Sequence, residues 1–139
     1  MLNTKVVDLW SASIPNRPGE LLEKLEGLAK ADADLEILDV HRSPEDPDRG
    51  VVFLAPLTGE LQIRAARQLG FERSGLGHLR VSCPDEAGKG YLIIQAIAAQ
   101  GINLANVIGT SIRNELVMYL TFDSTADAQR AVHVLDRVP

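Results

Sequence analysis

The sequence predicts an α+β protein built from one small β-α-β-β-α unit written twice. Three observations predict it. Pro15-Asn-Arg-Pro-Gly19 opens an apolar helical run, and sixty-nine positions later Pro84-Asp-Glu-Ala-Gly88 opens another. At that offset, without a gap, Leu22, Leu25, Leu28 and Ala29 fall on Tyr91, Ile94, Ile97 and Ala98, and Leu35 falls on Leu104. Near the end of each unit Arg64-Ala-Ala-Arg-Gln-Leu69 matches Arg130-Ala-Val-His-Val-Leu135, the first copy carrying a longer second turn. Self-similarity at a fixed spacing marks a repeated structural unit.

The elements follow in order. Residues 6–14 alternate as a strand, with Trp10, Ala12 and Ile14 on one face. Pro15 and Pro18 stop it, and Gly19 frees the backbone for a tight turn. Residues 20–31 form an amphipathic helix with Leu21, Leu22, Leu25, Leu28 and Ala29 on one face, and Glu20 and Glu23 suit its N-terminal dipole. Residues 35–41 alternate as a second strand, residues 43–50 make a polar turn, and residues 51–57 read as a third strand. A second helix over 59–69 ends at Gly70, and residues 71–76 fit a short fourth strand. The second copy repeats the order: strand 78–83, helix 90–100, strand 102–112 with Gly109 marking a bulge, turn 113–115, strand 116–122. A last helix over 124–136 is N-capped by Asp123 or Ser124. Leu79, Val81 and Cys83 match the Trp10, Ala12, Ile14 face.

This is the ferredoxin-like split βαβ order, helices on one face of an antiparallel sheet. The sequence therefore places repeat one at 1–76 and repeat two at 77–139. The second repeat reaches Pro139 before its last strand, which leaves a sheet edge to be covered by the other half or by a second subunit.

Composition sets bounds on function. The chain has 139 residues, 45% hydrophobic and 24% charged, with net charge −5. Such a chain is expected to be globular, and its acidity and lack of a Lys/Arg cluster speak against nucleic acid or an anionic membrane as partner. One cysteine, Cys83, forbids an internal disulfide and suits a reducing compartment. No secretory signal or bilayer-length apolar run is visible, so a cytoplasmic location is expected. Trp10 and Phe53 read as core residues. At 4% aromatic residues an RNA-reading sheet is discarded.

At this point the residues resemble a known family, the ACT domain, a small regulatory module that binds amino acids. The resemblance rests on Arg17-Pro18-Gly19-Glu20-Leu21 in the first copy. In the second it rests on Glu86-Ala87-Gly88 and on Gln100-Gly101-Ile102-Asn103-Leu104. It covers nearly the whole chain, twice. The resemblance implies domains acting in pairs, with the ligand between two of them. Backbone N–H groups come from one first loop, and an amide or carboxylate from the start of the partner's second strand. Carried over, the ligand-binding residues are Asn16, Arg17, Pro18, Gly19 and Asp34 in one copy, and Asp85, Glu86, Ala87, Gly88 and Asn103 in the other. A helix N-terminus suits an α-carboxylate, while Asp34 as a charge or Asn103 as a neutral acceptor suits the α-ammonium. Arg17 favours an anion at the first loop; Asp85 and Glu86 disfavour one at the second. A homodimer is implied, with a regulated partner enzyme that the sequence does not name.

Other chemistries find little support. Gly88-Lys89-Gly90 lacks Walker spacing. Asp46-Pro-Asp48 lacks the later ligands of a calcium loop. His41, His78 and His133 have no ligand spacing, so no metal and no cofactor are expected. No Gly-x-Ser-x-Gly is present, and no catalytic residue is assigned. Two alternatives stand beside the amino-acid-binding reading. One is an interaction module without ligand, favoured by the departures Asp32 and Ala87. The other is an acylphosphatase-like hydrolase using Arg17 and Asn106. Tyr91 through Ile94 make the third helix apolar nearly all round, which predicts burial on both sides at a domain or subunit interface.

Overall fold

The computed structural model describes residues 2–139; Met1, counted with the first repeat, lies outside them. A strand not expected, β1 (Asn3–Val6), comes first and shares only Val6 with the range 6–14; the strand expected over that range is β2 (Trp10–Pro15). Val7 and Leu9 between them are buried, the alternation changes phase at Leu9–Trp10, and the backbone changes partner there. The remaining elements lie close to expectation. They are α1 (Glu20–Lys30), β3 (Ile37–Arg42), β4 (Arg49–Ala55), α2 (Gly59–Gln68), β5 (Glu72–Arg73) and β6 (Gly77–Pro84). Then follow α3 (Lys89–Ala99), β7 (Leu104–Ile112), β8 (Glu115–Phe122) and α4 (Thr125–Leu135). Ser124 is the α4 cap, its side chain accepting from the Asp127 N–H at 3.1 Å.

Two antiparallel four-stranded sheets result, ordered β3-β4-β2-β5 and β1-β6-β8-β7. Both have the ferredoxin-like order. In the second, the place of the missing last strand is taken by β1, with Asn3 opposite Ser82 and Val6 opposite Leu79. The compact units are Asp8–Ser74, and Gly75–Pro139 together with the segment ending at Val7. Local alternation announces a strand but not its neighbour, because strand pairing is non-local.

Each unit has its own core. In Asp8–Ser74, Trp10, Ala12 and Ile14 pack with Leu28, Val52, Leu54, Ala66 and Phe71. In the split unit, Leu79, Val81 and Cys83 pack with Ile93, Ile97, Leu120, Phe122 and Leu135. Equivalent helix positions behave alike: Leu28 and Ile97 are buried, whereas Leu22 and Tyr91 are 69% and 66% exposed. Leu22 and Ala29 therefore leave the core face assigned to them; that face runs through Leu21, Leu25 and Leu28. On α3 the chain itself covers one side. Ile93 is buried, but Tyr91 and Leu92 stand outward. Phe53 is half-buried on the sheet face opposite Trp10, against His41 at 6.0 Å between rings. The irregularity in β7 falls between Leu104 and Asn106, not at Gly109, whose φ is not positive and so demands no glycine.

Burial pushes the Cys83 thiol up, with the Lys89 charge pulling weakly the other way. A thiol of raised pKa lends stability that is complete below the ordinary thiol range and is lost as pH rises through its folded value. The native chain is thus expected to react slowly with a disulfide reagent at pH 8 and quickly once denatured. Equal rates in the two states would show the thiol to be open.

Candidate functional site

The first loop is fixed from both sides. Pro15 and Pro18 offer no N–H to continue a ladder, and Gly19 enters α1 with φ of 88°, a left-handed conformation that favours glycine. Asn16 ties the loop to the β3–β4 turn, its N–H donating to Asp48 O at 2.8 Å and its Nδ2 to Pro47 O at 3.1 Å. In the sheet, Gly50 stands opposite both Ile14 and Arg42, so the loop and the end of β3 share one edge. Together they line a cavity of about 370 Å³, with residues 15–19 on one side and Val40, His41 and Arg42 on the other.

The cavity is rich in donors. No side chain caps α1. The N–H groups of Gly19, Leu21 and Leu22 meet no acceptor among the described residues, the ordinary state of a helix start awaiting water or ligand. Arg17 Nη2 pairs with Glu20 Oε1 at 2.9 Å, but Arg17 is mostly exposed. Such a pair is worth about 0–1 kcal/mol, so Arg17 turns to an anion at little cost. His41 Nδ1 donates to the Arg42 carbonyl at 3.2 Å. The arrangement can bind a carboxylate; it holds no nucleophile–base pair.

The second loop is as exposed as the first. Asp85, Glu86, Ala87 and Gly88 are all exposed. Asp85 N–H donates to Asn114 O at 2.8 Å, and Lys89 Nζ to Pro139 O at 2.8 Å, so the lysine is directed to the chain end. Asp34 and Asn103 lie away from the loops of their own units. Asp34 precedes Ile37, which pairs with Ala55, whereas the loop lies at the Arg42 end of β3. Asn103 precedes Leu104, opposite Phe122, and its Nδ2 donates to Asp123 Oδ2 at 3.4 Å; the loop lies at the Ile112 end. Val40, His41 and Arg42 were missed from sequence. The signal was the hairpin register, since a turn at 43–48 returns the end of β3 to the level of Ile14. Arg17 and Asn106, the hydrolase candidates, fall in different units. Among the described residues no group of three or more His, Cys, Asp or Glu is placed to hold a metal, and no helix is long and apolar enough to cross a membrane.

The sequence matches no protein-family model and no curated protein. Solved structures do match. Protein BT0572 from Bacteroides thetaiotaomicron superposes with a TM-score of 0.78 at 19% identity, over 96% of this chain and 88% of its own. The ligand-free regulatory subunit of aspartate kinase from Thermus thermophilus gives 0.64 at 11% identity, over 98% and 95%. The corresponding subunit from Thermus flavus gives 0.57 at 20%, over 96% and 94%. The chain is a tandem of ACT-type folds. At these identities the likeness is one of fold, and it covers nearly the whole chain. Within that fold the two loops hold equivalent places before α1 and α3, one donor-rich and one acidic.

Proposed function

We propose that the tandem ACT-type chain is a noncatalytic regulatory protein that binds a small amino acid or related metabolite. The carrying observation is the first loop, where the unbonded backbone N–H groups of Gly19 and Leu21, together with Arg17, border a cavity sized for such a ligand. In this reading the ligand's carboxylate sits at the start of α1. Strands β3 and β7 are the outer strands of their sheets. An antiparallel meeting of two such edges, from the two repeats or from two subunits, carries the start of one strand to the loop end of the other. Asp34 or Asn103 then receives the α-ammonium. Neighbours that are regulatory subunits of aspartate kinase support a regulatory role. The output in this reading passes through a homodimer to a separate, cytoplasmic partner enzyme, without cofactor, nucleic acid or membrane.

A thermal-shift screen against the twenty amino acids tests this. Ligand at one hundred times its Kd stabilises by about 2.7 kcal/mol, a rise of several degrees. One or a few amino acids are expected to give it. Asp34→Ala, an exposed position, should keep the unliganded melting point and lose the shift. A flat response across the panel overturns the reading.

One observation favours the second reading, an interaction module without ligand. Tyr91 and Leu92 on α3 are large, apolar and uncovered. Under that reading the panel stays flat, and Tyr91→Ser weakens self-association in sedimentation.

A further inference from the structure

A second cavity, of about 380 Å³, opens on the other end of the Asp8–Ser74 unit. Its floor is Trp10, only 1% exposed. Two guanidinium carbons lie over that one indole, Arg73 Cζ at 4.8 Å and Arg67 Cζ at 5.7 Å from the ring centroid. The sequence explains the meeting. Arg67 sits in the last turn of α2, and the chain turns back at Gly70, whose φ is 90°. It then runs as β5, where Arg73 is the register partner of Trp10.

The two arginines differ in what holds them. Arg73 Nε donates to Asp8 Oδ2 at 3.0 Å, which fixes the plane of the fork and leaves both Nη groups to other acceptors. Arg67 makes no hydrogen bond and no ion pair among the described residues. Lys24 Nζ, donating to Leu69 O, adds a third positive charge on the far side of Gly70. Against these stand Asp8 and Glu72. Glu72 also lines the cavity, although strand alternation turns its side chain to the sheet face away from Arg73. Stacking on an aromatic face holds a guanidinium flat without using its N–H groups. Two guanidinium groups over one ring, one with no acceptor among the described residues, form a preset cationic clamp.

We infer that this cavity binds a small molecule through a carboxylate or phosphate group gripped by Arg67 and Arg73. The chemistry is that of paired, charge-assisted hydrogen bonds from planar forks to an oxyanion. The site shares no residue with the first-loop cavity and does not depend on amino-acid binding there.

Trp10 is the single tryptophan of the chain and forms the floor, so its emission reports directly. The full chain is titrated with sodium phosphate in one arm and sodium succinate in another, against sodium chloride at matched ionic strength. A saturable change in one or both oxyanion arms, absent with chloride, is expected, and the responding arm identifies the group. Arg67→Gln should weaken it about tenfold or more. Arg67→Lys, which keeps the charge but not the fork, should fall between. Arg64→Gln, outside the cavity, and Asp34→Ala, in the other proposed site, should leave it unchanged. The inference is overturned if neither oxyanion differs from chloride, or if Arg67→Gln and Arg67→Lys both saturate like the unaltered chain.

Discussion

Gly77→Ala is expected to destabilise the split unit by about 3 kcal/mol or more. Gly77 opens β6 directly beneath the start of α4. A Cβ built there would lie 2.3 Å from Ser124 O, 2.6 Å from Ala128 Cβ and 3.0 Å from Ser124 C. Two of these three are backbone atoms, so no rotamer change relieves the clash. Ser124 is also the α4 cap, and moving it threatens the bond from the Asp127 N–H. The helix must lift from β6, and Leu135 and Ala131 with it, both buried in the same core. For a unit of this size the loss lowers its melting temperature by about 10–20 °C. Differential scanning calorimetry would read it. A melting point within a degree or two of the unaltered chain would mean that α4 does not sit on β6 as described. Gly27→Ala is the contrast: there the close atoms belong to the Leu69 side chain, which can move.

Removing the chain through Val6 is the second large effect. Strand β1 supplies four residues of ladder to β6. At about 1 kcal/mol net per backbone hydrogen bond, the pairing contributes on the order of 3 kcal/mol. Its loss also bares a β6 edge whose residues 77–83 are almost all buried in the intact chain. An unpaired edge of that kind recruits other chains. The shortened protein is expected to melt lower in the split unit alone and to associate, seen as concentration-dependent mass in light scattering. If it stays monodisperse with an unchanged melting curve, β1 contributes little to that sheet.

Much of the fold was legible because its signals are local. Leu28 and Ile97 read as core from helical spacing, and Trp10, Ala12 and Ile14 from alternation; all are buried. Ser124 declared a helix start by its chemistry. The misses share one cause, dependence on distant chain. Between β1 and β2 the alternation changes phase at Leu9–Trp10, but that local break does not say which strand each side pairs with. Leu22 and Tyr91 have the period of a core face but lie just beyond the reach of the sheet beneath them. At the first loop, residues 16–19 were visible as a turn before a helix. Val40, His41 and Arg42 join them only through a hairpin register. The Trp10 cavity was not anticipated: Arg67 and Arg73 read singly as surface charges, and only the turn at Gly70 brings both over one ring.

The exchange of β1 has a consequence for the order in which the protein is made. Residues 3–6 are synthesised before the whole Asp8–Ser74 unit, yet their partners at 79–82 are synthesised after it. At about 5–20 residues per second, the strand waits about 4–15 s for them. The Asp8–Ser74 unit is continuous in sequence and is complete before residues 79–82 are made, so it needs nothing downstream to close. The split unit cannot close until β6 is free to meet a segment that has been exposed all along. A nascent chain halted near Ser74 therefore carries one finished fold and one bare strand, and chaperones that shield extended segments have their longest opportunity there.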